Sequence, residues 1–240
     1  METSTAAAAG RRVTVGWLWS LMVVLHLLFL PGQGAFASAF TGWNVANGAL
    51  GIAAIALLCR PRSSILLAVV AVLTPITAWM QAPALGNHWL LASLVSLTLL
   101  SAMTIGALRR PRDVDGAIER DGFPATRVVF LIAYGFAALS KFNSSFADPT
   151  VSCATLYIDQ VANSLGITGL HAQGGAGWTH VVPFAVMAIE ASVVVLLVIA
   201  RTRVLGVILA LAFHGLISID TTHPFSDFSS LIAVLVILFL

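Results

Sequence analysis

Hydrophobic positions along the chain fall into eight runs with polar breaks between them. The runs cover roughly 13–31, 42–59, 64–81, 88–108, 125–142, 179–200, 204–219 and 226–240. They are continuous rather than alternating, and most are too long for strands, so the pattern predicts helices. A helix needs about 20 apolar residues to cross the hydrocarbon core of a bilayer. Seven runs approach or reach that length. The eighth is short, about 22 Å as a helix. One further stretch is different. Over 152–165, Ala154, Ile158, Val161 and Leu165 recur at helical spacing, which predicts an amphipathic surface helix in the connection between the fifth and sixth runs. Residues 6–10 read as a disordered tail.

Charge gives the runs a direction. No charged side chain occurs over 13–59 or over 63–108. The arginines stand at 11 and 12, at 60 and 62, at 109, 110, 112, 120 and 127, and at 201 and 203. These clusters flank every second connection, so all arginines share one side of an eight-span arrangement. The positive-inside rule makes that side cytoplasmic and places the N-terminus there. Lys141 is the sole lysine and falls on the other side. Trp43, Trp79, Trp89 and Trp178 mark the outer ends of their runs, as an interfacial aromatic belt requires. Cys59 falls inside and Cys153 outside, so the two cannot pair. A second reading of the first run is a signal peptide, with Ala35-Phe36-Ala37 as the cleavage site.

Composition agrees with lipid exposure. Apolar residues make up 59% and charged residues 9%, against about 45–50% and about 25% in soluble proteins. The chain has no basic stripe, and nucleic-acid binding is not expected. The bilayer is the expected surrounding.

Ionisable residues inside spans mark function by default. Glu190 lies eleven residues from Arg201, and His214 eleven from Arg203. Both come out about 16 Å up from the arginines, near the midplane. Their runs are joined by a tight turn, so a Glu190–His214 hydrogen bond is expected, as a proton path or as a structural polar clamp. His26 and Lys141 each lie fourteen residues above an arginine, about 21 Å up. Lys141 is either a base in a pocket or a lysine reaching for outer headgroups. His88, His180, Asp220, His223 and Asp227 lie at that level or higher, and the histidines His26, His88, His180, His214 and His223 could line one outward-facing pocket. Asn143 stands two residues beyond Lys141. Asn44 and Asn47, at the outer end of the second run, suit hydrogen bonds between helices.

Several strings together resemble a known family. Tyr134-Gly135-Phe136-Ala137-Ala138-Leu139-Ser140-Lys141-Phe142-Asn143-Ser144-Ser145-Phe146 is similar to the stretch around the catalytic lysine of vitamin K-dependent γ-glutamyl carboxylases. The same layout marks bacterial proteins with the HTTM-type, carboxylase-like membrane domain. Asn87-His88-Trp89-Leu90-Leu91 resembles that family's Asn-His-x-x-Leu. Glu190-Ala191-Ser192, Arg203-Val204-Leu205-Gly206 and Phe213-His214 resemble its later motifs in order and spacing. The likeness covers the fourth to seventh runs. Ser140 stands where the vertebrate carboxylases carry a second lysine, and Ile217 or a neighbour where the family has Asn. No counterpart of the family's large outer domain is expected, and with it no peptide carboxylation.

The expected layout is a cytoplasmic tail of residues 1–12, from the arginine pattern, followed by one membrane domain over 13–240 that resembles that family's, in a bacterial plasma membrane. The resemblance implies a lipid-soluble substrate such as a reduced vitamin K-like quinone, with Lys141 as the base and His88 beside the reacting carbon. The expected catalytic set is Lys141, His88, His214 and Glu190. The expected substrate-binding set is His26, Asn143 and Asp220. The alternative is a protein without catalysis, either a transporter using Glu190 and His214 or a structural membrane partner.

Overall fold

In a computed structural model the described residues are almost all helical, with no strand among them. The structure describes residues 2–28, 42–81, 87–111, 113–167, 177–219 and 226–240. Five helical stretches are long and apolar enough to cross a membrane: Ser64–Gln81, Asn87–Arg109, Val114–Leu139, Gly177–Val198 and Ala200–Ile217. They coincide with the third to seventh hydrophobic runs. Shorter apolar helices at Arg12–Leu28, Val45–Cys59 and Phe228–Ile237 coincide with the first, second and eighth. Large apolar side chains stand exposed on these helices, among them Ile52, Ile65, Phe136, Phe184 and Ile208. An apolar surface on so many helices fits an integral, multi-pass membrane protein.

The helices are α1 (Glu2–Leu28), α2 (Gly42–Cys59), α3 (Ser64–Gln81), α4 (Asn87–Arg109), α5 (Val114–Ala117), α6 (Phe123–Leu139), α7 (Ser144–Ala147), α8 (Cys153–Ser164), α9 (Val181–Val198), α10 (Arg203–Ile217) and α11 (Ser226–Ile237). They form two compact units, Met1–Phe130 and Leu131–Leu240. Residues 6–10, read above as a disordered tail, belong to α1. Four consecutive alanines, the best helix formers, continue the helix outward through them.

In the first unit α1, α2, α3 and α4 pack in sequence, each on the next. Their core holds Trp19, Met22, Leu50, Leu57, Leu67, Val70, Trp89 and Leu99, all nearly inaccessible. Arg12 ties α1 to the turn between α2 and α3, donating from Nη1 to the Pro61 carbonyl at 3.2 Å. Gly16 lets that carbonyl approach, because a side chain there would meet it. Pro61 ends α2, and the Ser63 hydroxyl accepts from Leu66 N–H to start α3. A π-helical turn, Ile118–Gly122, joins α5 to α6, with Arg120 bridging to Asp113 at 2.9 Å.

Gly106 is a point of close helix contact in this unit. A Cβ there would collide with that of Ala117, where α5 lies on α4. Gly106→Val is therefore expected to cost about 1–3 kcal/mol through overpacking, seen as a lower melting temperature in detergent. Gly48→Ala, where nothing lies within 4 Å, should be neutral or stabilising by about 0.5–1 kcal/mol. Equal tolerance of both would refute the packing.

In the second unit α9, α10 and α11 pack in sequence, α8 lies on α9 and α10, and α7 lies on α9. The α9–α10 turn is tight because α10 caps its predecessor. The Thr202 hydroxyl donates to Leu196 O at 2.9 Å, and Arg203 Nε donates to Leu197 O at 3.2 Å. The helix expected over 152–165 is present as α8. Ser152 caps its start, accepting from Ala154 N–H. Gly166 ends it at φ +72°, with Ile167 N–H on Ala162 O and Gly166 N–H on Asn163 O, the Schellman pattern.

Candidate functional site

Two groups of polar side chains sit among these apolar helices, one in each unit. In the second unit, α6 ends at Leu139 and the chain turns through Lys141. Asn143 shapes the turn. Its Oδ1 accepts from Phe146 N–H at 2.9 Å, and its Nδ2 donates to Ser140 O at 2.7 Å. Asn143 was expected to bind substrate, yet both ends of its amide are engaged by backbone. It caps α7 and holds the turn that aims Lys141.

Lys141 Nζ lies 2.6 Å from Glu190 Oε2, with the two side chains 23% and 10% exposed. Nζ also donates to Ala137 O at 3.3 Å and stands 5.9 Å from the centre of the Phe146 ring. His214 is buried on α10, and its Nε2 is 3.0 Å from the Tyr134 hydroxyl. Phe213 and Phe228 present edges to the imidazole ring at 5.2 and 5.1 Å between centroids. The His214 carbonyl accepts from the hydroxyls of Ser218 and Ser229 at 3.0 and 2.9 Å. The second of these bonds ties α11 to α10.

The expected Glu190–His214 hydrogen bond is therefore replaced by two others, Lys141–Glu190 and Tyr134–His214. Counting along helices placed Lys141 about 5 Å above Glu190, but a lysine carries its ammonium on a four-carbon stem, which spans that difference. A buried carboxylate gains more from a cation than from a neutral ring, so Glu190 takes Lys141. The two pairs remain neighbours. Tyr134 lies within electrostatic range of Glu190, and His214 within range of Lys141.

Tyr134 escaped the sequence reading as a site residue. A signal existed. It precedes Lys141 by seven residues, two helical turns on the same face, and a buried tyrosine hydroxyl needs a partner. Ser229 carried no comparable signal.

In the first unit, His26 of α1 stacks on Trp89 of α4, with ring centroids 3.7 Å apart and planes 9° from parallel. His88 meets His26 edge-on at 5.5 Å, and Gln81 Nε2 lies 3.4 Å from His26 Nε2. The structure thus joins His26 with His88 in one unit, and Lys141 with Glu190 and His214 in the other. His180 is exposed. Asp220 and His223 lie outside the described residues, as do the side chains of Asp227 and Asn44. Asn47 was expected to bond between helices, but its amide finds no partner among the described residues. Among those residues no three His, Cys, Asp or Glu side chains are placed to hold a metal ion.

Chemically, the second unit offers a carboxylate, an amine, an imidazole and a phenol in a largely apolar setting. Such a set can hold protons and pass them on. Comparison of the chain with protein-family models, with curated proteins and with solved structures returned no match.

Proposed function

We propose that this chain is a membrane enzyme of the carboxylase-like, HTTM-type group that removes a proton from a lipid-soluble, quinol-type substrate. The observation that carries the proposal is the 2.6 Å contact between Lys141 and Glu190 beside the Tyr134–His214 pair. A lysine turned into the helices and met by a carboxylate is not a lysine seeking outer headgroups. In this reading the pair, rather than the lysine alone, accepts the substrate proton. The proton that the pair shares can rest on the carboxylate, which leaves the Lys141 amine neutral and able to take the substrate's proton. His214, held by Tyr134, orients the substrate. The chain crosses the bilayer eight times with the arginines and the N-terminus cytoplasmic, in a bacterial plasma membrane, and α8 lies at the outer surface.

The test is oxygen-dependent loss of a chemically reduced naphthoquinone, followed optically, with the full chain in lipid nanodiscs. Wild type should accelerate the loss over empty nanodiscs. Lys141→Met and Glu190→Gln should each reduce that acceleration by on the order of 100-fold, the usual scale for losing a general base. No acceleration by wild type, or full activity of both variants, refutes the proposal.

A further inference from the structure

In the first unit, the last turn of α1, the end of α3 and the first turn of α4 bring His26, Gln81 and His88 together. The proposed reaction uses none of the three. His26 is 3% exposed, and its ring lies flat against Trp89 at 3.7 Å between centroids. That stack occupies a face of the ring and leaves its edge, where the nitrogens lie, for other contacts. Nε2 stands 3.4 Å from the Gln81 amide nitrogen. The His88 ring stands 5.5 Å from that of His26 between centroids, with the planes 66° apart. His88 and Gln81 are half-buried, so the group can be reached from the rim of the helices.

These separations suit a shared metal ion. A contact of 3.4 Å is long for a hydrogen bond, which prefers about 2.7–3.2 Å. Turning the Gln81 amide over exchanges its nitrogen and oxygen and sets the oxygen at the same place. Two ligand atoms about 2.1 Å from a tetrahedral ion stand about 3.4 Å apart, and the centroids of two imidazoles on it about 5.3 Å apart. The observed 3.4 and 5.5 Å match both edges. Imidazole nitrogens select against calcium and magnesium, which take oxygen ligands. Zinc accepts imidazole nitrogen and oxygen together in this geometry. The stack on Trp89 fixes the His26 ring, as contacts behind a ligand do in metal sites.

We infer that His26, His88 and the Gln81 amide oxygen form a zinc site that ties α1 to α3 and α4, with water in the fourth position. The site does not depend on the proposed reaction, whose residues belong to the other unit. Its ligands are two histidines and an amide, so it falls outside a search for three His, Cys, Asp or Glu side chains.

The experiment uses the full, untagged chain in detergent, stripped with a chelator, loaded with zinc chloride in excess magnesium, and gel-filtered before metal analysis. Wild type should retain zinc in a one-to-one ratio and melt at a higher temperature with it. His26→Phe, which keeps a ring on Trp89, and His88→Phe should each weaken zinc binding at least about 100-fold, and Gln81→Leu at least about tenfold. Binding should fall away below about pH 6.5, where free imidazole takes a proton. Cobalt in place of zinc should give wild type the intense visible bands of a tetrahedral ion, a readout that needs no variant. If neither histidine variant folds, Gln81→Leu and the cobalt spectrum decide. No retained zinc, the pale spectrum of six-coordinate cobalt, or zinc binding left unchanged in a folded His26→Phe or His88→Phe overturns the inference.

Discussion

In intact cells, a membrane-impermeant maleimide is expected to label Cys153 and leave Cys59 untouched. Both cysteines are exposed and unpaired, so accessibility is decided by the membrane. Cys59 closes α2 beside Arg60 and Arg62, at the arginine-rich level. Cys153 opens α8, on the side of Lys141. In the proposed eight-span topology alternate connections face opposite compartments, so the expected contrast is all-or-none. Permeabilised cells should label at both sites. Labelling of both from one side would remove the eight-span topology. The reaction at Cys153 also has a pH signature. Although the residue is exposed, partial burial of the thiol pushes it up, by more than nearby Lys141 pulls it down. The thiolate is the reacting form, so labelling should be slow at neutral pH and rise about tenfold per pH unit below the thiol's pKa.

The second large effect concerns the Lys141–Glu190 pair. Removing one partner of a buried pair leaves an uncompensated charge, at a cost of about 3–5 kcal/mol. Lys141→Met and Glu190→Leu should each approach the lower end of that range, since Lys141 is 23% exposed on its side chain and a lone carboxylate can protonate. The double variant should be more stable than the sum of the singles predicts, because neither charge is then stranded. Thermal unfolding of the four proteins in one detergent measures the cycle. Strict additivity would mean that the two side chains do not meet. Lys141→Arg separates a catalytic pair from a structural clamp. Arginine keeps the charge and stays protonated, so stability should hold within about 1 kcal/mol, while proton transfer should fail. A clamp with no catalytic part would leave Lys141→Arg without a functional effect.

Much of the helical layout was legible because its causes are local. A run of apolar residues long enough to span, broken by Arg60-Pro61-Arg62 or by Arg109-Arg110-Pro111, announces a helix and its end. Ser152 and Gly166 bracket α8 for equally local reasons. The tail over 6–10 was misread by giving terminal position more weight than alanine's helix propensity. The candidate site was half legible. Lys141, Glu190 and His214 stand out because ionisable groups are rare in apolar runs. Their partners did not, because partner choice depends on how each helix is rotated and how far each side chain reaches.

By itself the sequence determined the all-helical class, the apolar surface that fits a membrane, and the rhythm of arginines. These follow from periodicity, composition and side-chain hydration, which need no knowledge of what packs against what. Only the tertiary structure decided that Glu190 meets Lys141 rather than His214, that Tyr134 holds the imidazole, that Asn143 serves the backbone, and that His26 stands with Gln81 and His88. Each of those outcomes is a competition between several polar groups or packing surfaces within reach. The winner is set by a few ångströms of helix rotation and stem length, to which a hydropathy pattern is blind.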